Sequence, residues 1–220
     1  MNDKKNSFVS LFSNDKLMLA ATVIATIASL IQSLLNAEIV SYFSAFTFLA
    51  NAICVLVLYI SYKKHDKNVM KGLMGAIFML LLLRNVEQCT NMIQNYEKPS
   101  YISVAGLAIT SLFVLILMIN HFIINSDRHS KPWNVKLNQS CFIILLITQV
   151  VLGMILIIIS DSMFLRISYL ISIFTKVSTI CVIICIETKM EGYKALREAN
   201  GWVEKPYSSE ENESTETSAE

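Results

Sequence analysis

The chain has 220 residues, of which 54% are hydrophobic and 16% charged, and its formal net charge is +1. About a quarter of the residues of a soluble domain are charged, so this composition excludes an ordinary soluble domain and favours a protein embedded in a bilayer. The small net charge, without basic clusters interleaved with aromatic residues, gives no support to a nucleic-acid partner.

Six apolar stretches are long enough to cross a bilayer as helices. A crossing takes about 20 residues, and each stretch has roughly 19 to 25. They are residues 17–35, 39–62, 72–93, 101–125, 137–160 and 163–186. All three prolines lie between or after these stretches. We therefore predict an all-α polytopic integral membrane protein whose single domain, residues 17–186, contains six unbroken transmembrane helices.

The positions of lysine and arginine predict the orientation of the chain. Basic residues are concentrated before the first stretch, between the second and third, between the fourth and fifth, and after the sixth. Cytoplasmic loops are enriched in these residues, so we predict an N-in/C-in protein of the cell membrane. Residues 1–16 are expected to be a cytoplasmic lead, residues 187–203 a juxtamembrane helix, and residues 204–220 a disordered acidic tail.

Small and polar residues recur at helical spacing in the first two stretches. In the first, Ala25, Ser29 and Gln32 share a face that allows another helix to approach closely. In the second, Ser44 and Asn51 lie on one polar line, with Asn51 near the middle of the membrane. These faces predict packing seams, and Asn51 is a candidate ligand-binding residue.

The third crossing carries the most informative segment of the chain, residues 73–95. Its first half is uncharged and apolar, and its second half contains Arg84, Glu87, Gln88 and Asn91, which lie on one stripe of a helix. The apolar half spans only about half a bilayer, so the polar half must lie partly at membrane depth. Because ionisable residues there are costly and usually functional, we predict all four to be ligand-binding residues.

The last three crossings contain fewer polar residues. The fourth is apolar until Asn120 and His121 near its predicted cytoplasmic end, where a single histidine typically snorkels or hydrogen-bonds a neighbour. No metal-ligand spacing is present, so no metal or other cofactor is predicted. The fifth has Gln149 at its centre, and the sixth has Arg166 near the outer boundary and Lys176 near the midplane. These last three residues complete the predicted ligand-binding set.

Two arrangements account for the charges within the membrane. In the first, Arg84 and Glu87 pair along their own helix and Lys176 bonds to hydroxyl and amide groups of neighbouring helices, so that the network fixes helix packing. In the second, these three residues and Arg166 line a cavity that opens outward. Three cations and one anion in such a cavity favour an anionic or carboxylate-bearing small ligand.

The function predicted from these patterns is the binding or transport of a small, anionic ligand through a polar cavity between helices. The alternative is a non-transporting accessory, sensory or immunity-type membrane protein that acts through its cytoplasmic loops and tail. Catalysis is not favoured, because no spaced metal triad, serine with a base, or paired-aspartate motif is present. The predicted partners are the lipid bilayer, a small-molecule ligand, and a membrane or cytoplasmic protein.

Overall fold

The structure, a computed structural model, describes residues 11–12, 14–39, 42–95, 101–126, 132–160 and 162–189. Within this part of the chain, six long helices follow one another: α1 (Asp15–Ile39), α2 (Tyr42–Lys63), α3 (Lys67–Asn95), α4 (Tyr101–Ser126), α5 (Pro132–Ile159) and α6 (Met163–Glu187). Each is long and apolar enough to cross a membrane. The prediction of an all-helical fold with six helices of membrane-spanning length and apolarity is confirmed. The N-in/C-in orientation stays a prediction, and the acidic tail and most of the juxtamembrane segment lie outside the described residues.

Two helices begin five residues earlier than the apolar pattern predicts. Helix α3 starts at Lys67 rather than at residue 72, because the Asp66 carboxylate accepts a hydrogen bond from the backbone N–H of Val69 at 3.1 Å and caps the first turn. Helix α5 starts at Pro132 rather than at residue 137, and proline is well suited to the first turn of a helix. Both first turns are polar, so a count of apolar residues omits them.

A compact turn joins α2 to α3. His65 adopts a positive φ of 58°, its N–H donates to the Tyr62 carbonyl at 3.1 Å, and the Asp66 N–H donates to the Ser61 carbonyl at 3.0 Å. This pair of bonds is the Schellman motif, which satisfies the last carbonyls of a helix. The turn therefore sets α2 and α3 side by side.

The six helices form a closed ring. Each helix packs against the next one along the chain, and α6 returns to pack against α1. Helix α6 is the most buried: 61% of its membrane-length window is buried, against 33% to 44% for the other five. It also touches α2 across the ring. The polar face predicted for α6 is consequently turned inward, with Ser168, Ser172, Thr175 and Lys176 all buried.

The outer surface of the ring is apolar. Large hydrophobic side chains are exposed on every helix, among them Ile27, Leu56, Met79, Leu112, Ile147 and Phe174. Inside, an apolar core cluster that includes Phe78, Phe142 and Ile183 fills the half of the ring where α3 and α5 begin and α6 ends. Buried polar residues lie in the middle of the ring, so the interior is more polar than the exterior, as expected for a helix bundle in a membrane.

Candidate functional site

Arg84 is buried inside the ring and is only 2% exposed. Its Nη2 donates to Asn51 Oδ1 at 3.3 Å, and its guanidinium lies over the Phe48 ring, 4.7 Å from the centroid. Its Nε and Nη1 have no hydrogen-bond partner among the described residues. An arginine side chain has five N–H donors in a planar fork. The three donors on Nε and Nη1 are therefore available to a further acceptor.

Asn51 connects Arg84 to two more helices. Its Nδ2 donates to Ser29 Oγ on α1 at 2.9 Å and to Thr179 Oγ1 on α6 at 3.1 Å. Because its Oδ1 accepts from Arg84 on α3, this one buried amide on α2 holds four helices together. A buried amide of this kind is costly unless all its polar atoms are satisfied, as they are here.

Lys176 is the second cation at this level of the ring and is 5% exposed. Its Nζ donates to Gln88 Oε1 at 2.7 Å and to Asn85 Oδ1 at 3.2 Å, and Asn85 Nδ2 donates to Thr110 Oγ1 on α4 at 3.4 Å. Lys176 and Arg84 are close enough for their charges to repel each other. We call Asn51, Arg84, Asn85, Gln88 and Lys176 the polar centre.

A small cavity lies beside Lys176, between α3, α5 and α6. Its volume is about 10 Å³, which is room for about one water molecule. Its polar lining includes Lys176, Gln88 and Gln149, all three of them predicted ligand-binding residues, together with Tyr169 and Ser172.

Close contact between α5 and α6 at this cavity depends on Gly153. A Cβ atom at this position would lie 2.2 Å from Cγ1 of Ile173. The variant Gly153→Ala is therefore expected to lower the free energy of unfolding by about 1–3 kcal/mol, because it pushes the two helices apart. Thermal unfolding in detergent measures this loss.

Gly72→Ala is the matched control, since a Cβ there would meet nothing within 4 Å. Because alanine is the better helix former, this control should be as stable as the wild type or slightly more so. Equal melting temperatures for the two glycine variants would contradict the close approach of α5 and α6.

The other predicted ligand-binding residues are placed less centrally. Glu87 is half-buried, within hydrogen-bonding reach of the Ser44 hydroxyl. Its charge attracts Arg84, but the i, i+3 ion pair envisaged from the sequence is absent from the described residues. Arg166 is exposed in the first turn of α6, where its Nε donates to the Ser160 carbonyl at 2.9 Å. Asn91 lies on α3, and its side chain is outside the described part of the structure.

A second buried polar cluster lies at the other end of α6, and sequence reasoning missed it. His121 on α4 and Glu187 on α6 are 0% and 1% exposed, and His121 Nδ1 lies 2.8 Å from Glu187 Oε1. Asn138 on α5 donates to the other carboxylate oxygen of Glu187. Asn120 Nδ2 donates to Asn138 Oδ1 at 3.2 Å. His121, expected near the cytoplasmic end to snorkel or to hydrogen-bond a neighbour, does hydrogen-bond a neighbour and is fully buried.

One sequence signal could have found this cluster. Asn120, His121, Asn138 and Glu187 are polar residues at the same predicted cytoplasmic end of three helices. Sequence spacing within one helix does not show which residues of separate helices meet, so the pairing needed the ring order of α4, α5 and α6.

A third group of polar contacts closes the ring at this same end. Lys189, just after α6, donates to Asp15 on α1 and to the Tyr62 hydroxyl on α2 at 3.0 Å, and its Nζ lies 5.0 Å from the centroid of the Tyr62 ring. Burial alone would lower the pKa of Lys189, but the hydrogen bonds to Asp15 and Tyr62 outweigh it and raise that pKa above its usual value. The contact is a structural clamp between α1, α2 and α6.

No protein-family model, curated protein or solved structure matches this chain. The geometry of the buried polar groups is therefore the evidence on which a function can be proposed.

Proposed function

We propose that the protein is a multi-pass protein of the cell membrane, with both termini cytoplasmic, that binds or transports a small anionic ligand at the polar centre. The observation that carries this proposal is the state of Arg84. Its guanidinium is buried, three of its N–H donors have no partner within the described residues, and a second buried cation, Lys176, lies near it.

Energetics favour an anion at this position. Burying a charge without an ion-pair partner costs roughly several kcal/mol of free energy. Two like charges near each other add to that free-energy cost. An arginine fork matches the geometry of a carboxylate or another oxyanion, which accepts two parallel hydrogen bonds from it. A bound anion would satisfy the unused donors of Arg84 and offset its repulsion from Lys176.

The distribution of apolar residues supports access from the predicted outer side. The apolar core cluster with Phe78, Phe142 and Leu145 lies between the polar centre and the predicted cytoplasmic end. In the other direction, Glu87 and Gln88 are only half-buried. A ligand that entered from the outer side would therefore displace fewer packed side chains than one that came from the cytoplasm.

The experiment is a ligand-dependent thermal shift on the full chain in detergent. The probes are the potassium salts of acetate, phosphate and sulfate, compared at constant ionic strength with chlorides of potassium, sodium and choline. At least one anion is expected to raise the melting temperature in a concentration-dependent way that saturates. A ligand at 100 times its Kd stabilises the folded protein by about 2.7 kcal/mol. If the melting temperature does not depend on the anion, the proposal fails and the polar centre is a packing network.

The alternative function, an accessory, sensory or immunity-type protein, depends on cytoplasmic loops and a tail that lie largely outside the described residues. It stays a prediction.

A further inference from the structure

Several threonine hydroxyls in the bundle donate to a backbone carbonyl of the preceding turn. Those of Thr22, Thr110 and Thr148 do so at 2.8, 2.9 and 2.9 Å, a common arrangement in apolar helices. The Thr175 hydroxyl on α6 is different, because it is fully buried and has no hydrogen-bond partner among the described residues. A buried hydroxyl without a partner costs free energy, so this position needs an explanation.

Two contacts show that α2 and α6 run in the same direction. At one end of the pair, Lys189 Nζ donates to the Tyr62 hydroxyl at 3.0 Å. Further along, Asn51 Nδ2 donates to Thr179 Oγ1 at 3.1 Å. Residue numbers fall together along both helices, so one turn before Asn51 on α2 is level with one turn before Thr179 on α6.

This register places Thr175 beside Arg84. Thr175 lies one turn before Thr179 and on the same face of α6, and Phe48 lies one turn before Asn51. The Arg84 guanidinium is at this level too, because it lies over the Phe48 ring and its Nη2 reaches Asn51. The unpartnered hydroxyl of Thr175 and the unpartnered Nε and Nη1 of Arg84 therefore belong to one layer of the ring.

We propose that Thr175 is a further ligand-binding residue of the anion site, an inference that rests on the proposed function. The ligand is a small oxyanion, such as a short carboxylate, phosphate or sulfate, that accepts from Arg84 and from the Thr175 hydroxyl together. A hydroxyl suits this position because it donates to an anion without adding a third positive charge to those of Arg84 and Lys176.

The small cavity beside Lys176 is the competing location for the anion. Ser172 lines that cavity, whereas Thr175 does not. Lys176 already donates two of its three hydrogens within the protein, to Gln88 and Asn85. Thr175 and Lys176 are consecutive and so lie about 100° apart around α6. An anion bonded to Thr175 therefore lies on the side of α6 that faces α2, away from the cavity.

The test measures the anion concentration that gives half of the maximal thermal shift, for the full chain in detergent with potassium acetate, phosphate and sulfate. Thr175→Val removes the hydroxyl and keeps the shape of the side chain. It is expected to raise this concentration about tenfold or more, because a hydrogen bond to a charged group is lost. The variant should fold, since the hydroxyl has no partner within the described residues to lose.

Two further variants distinguish the hydroxyl of Thr175 from its surroundings. Thr175→Ser restores the hydroxyl and should return the half-maximal concentration toward the wild-type value. Ser172→Ala removes a hydroxyl from the same helix, but from the lining of the cavity, and should leave this concentration unchanged.

If Thr175→Val responds to anions at the wild-type concentration, the role of Thr175 is overturned while the anion site at Arg84 stands. An effect of Ser172→Ala without an effect of Thr175→Val would place the anion in the cavity and overturn it as well. A wild type without any anion-dependent shift would overturn both the proposed function and this inference. Should Thr175→Val not fold, Thr175→Ala is compared with Thr175→Ser, and equal half-maximal concentrations would overturn the inference.

Discussion

Replacing His121 with glutamine is expected to lower the free energy of unfolding at pH 6 by about 3–5 kcal/mol. The substitution removes the imidazole that lies 2.8 Å from Glu187 Oε1 and leaves that acidic group, buried at 1% exposure, without its ion-pairing partner. The measurement is unfolding in mixed micelles with an increasing fraction of a denaturing detergent. His65→Gln, at an exposed turn, should change the same free energy by no more than about 0.5 kcal/mol.

A double-mutant cycle separates this charge effect from lost packing. Glu187→Gln alone should cost less than His121→Gln, because an imidazole can remain neutral beside an amide. Adding Glu187→Gln to His121→Gln should restore most of the lost stability, since no unpaired charge remains. Two residues that do not interact would give losses that simply add. Additive losses would therefore show that the pair carries no charge coupling.

Asn51→Asp is expected to stabilise the protein, by about 1–3 kcal/mol. The new carboxylate would occupy the place of the amide whose Oδ1 already accepts from Arg84 Nη2 at 3.3 Å, and it would give that buried guanidinium a counter-charge. The hydroxyls of Ser29 and Thr179, which now accept from Asn51, can rotate to donate to it. A rise in the melting temperature in detergent measures the effect.

The same variant is expected to lose its response to anions, because its own carboxylate would take the role of the ligand. Asn51→Leu is the control: it removes the amide without adding charge and should lower the free energy of unfolding by about 1–3 kcal/mol. If Asn51→Asp were as destabilising as Asn51→Leu, Arg84 would not be short of a negative partner.

The fold follows from the sequence because six apolar runs of membrane length dominate the pattern, and the structure confirms six helices of that length. The starts of α3 and α5 were placed too late, because their first turns are polar and are stabilised by a cap and by a proline instead of by apolar residues. Boundaries of this kind depend on local hydrogen bonds rather than on hydropathy.

The site was predicted less completely than the fold. Arg84, Asn51 and Lys176 were placed at membrane depth, and the structure shows all three buried at one level of the ring. Asn85 was not selected as a site residue because it lies about 100° around the helix from Arg84, off the stripe used to choose candidates. Its contact with Lys176 depends on the position of α6.

Arg166, in contrast, was selected as a site residue but lies away from the polar centre. The sequence places it near the outer boundary as part of the lining of a cavity, but in the structure a bond to the Ser160 backbone holds it at the exposed first turn of α6. Contacts between helices distant in the chain, such as His121 with Glu187, likewise depend on the order of helices in the ring. The spacing of residues along one helix does not show which helices are neighbours in the ring.

The most direct test of the anion proposal compares Arg84→Gln with Arg166→Gln in the anion-dependent thermal shift. The two variants lose the same charge, one inside the ring and one at the exposed turn. We predict that Arg166→Gln keeps the shift seen with the wild type and that Arg84→Gln loses it while remaining folded. Equal shifts in the two variants would contradict an anion site at Arg84.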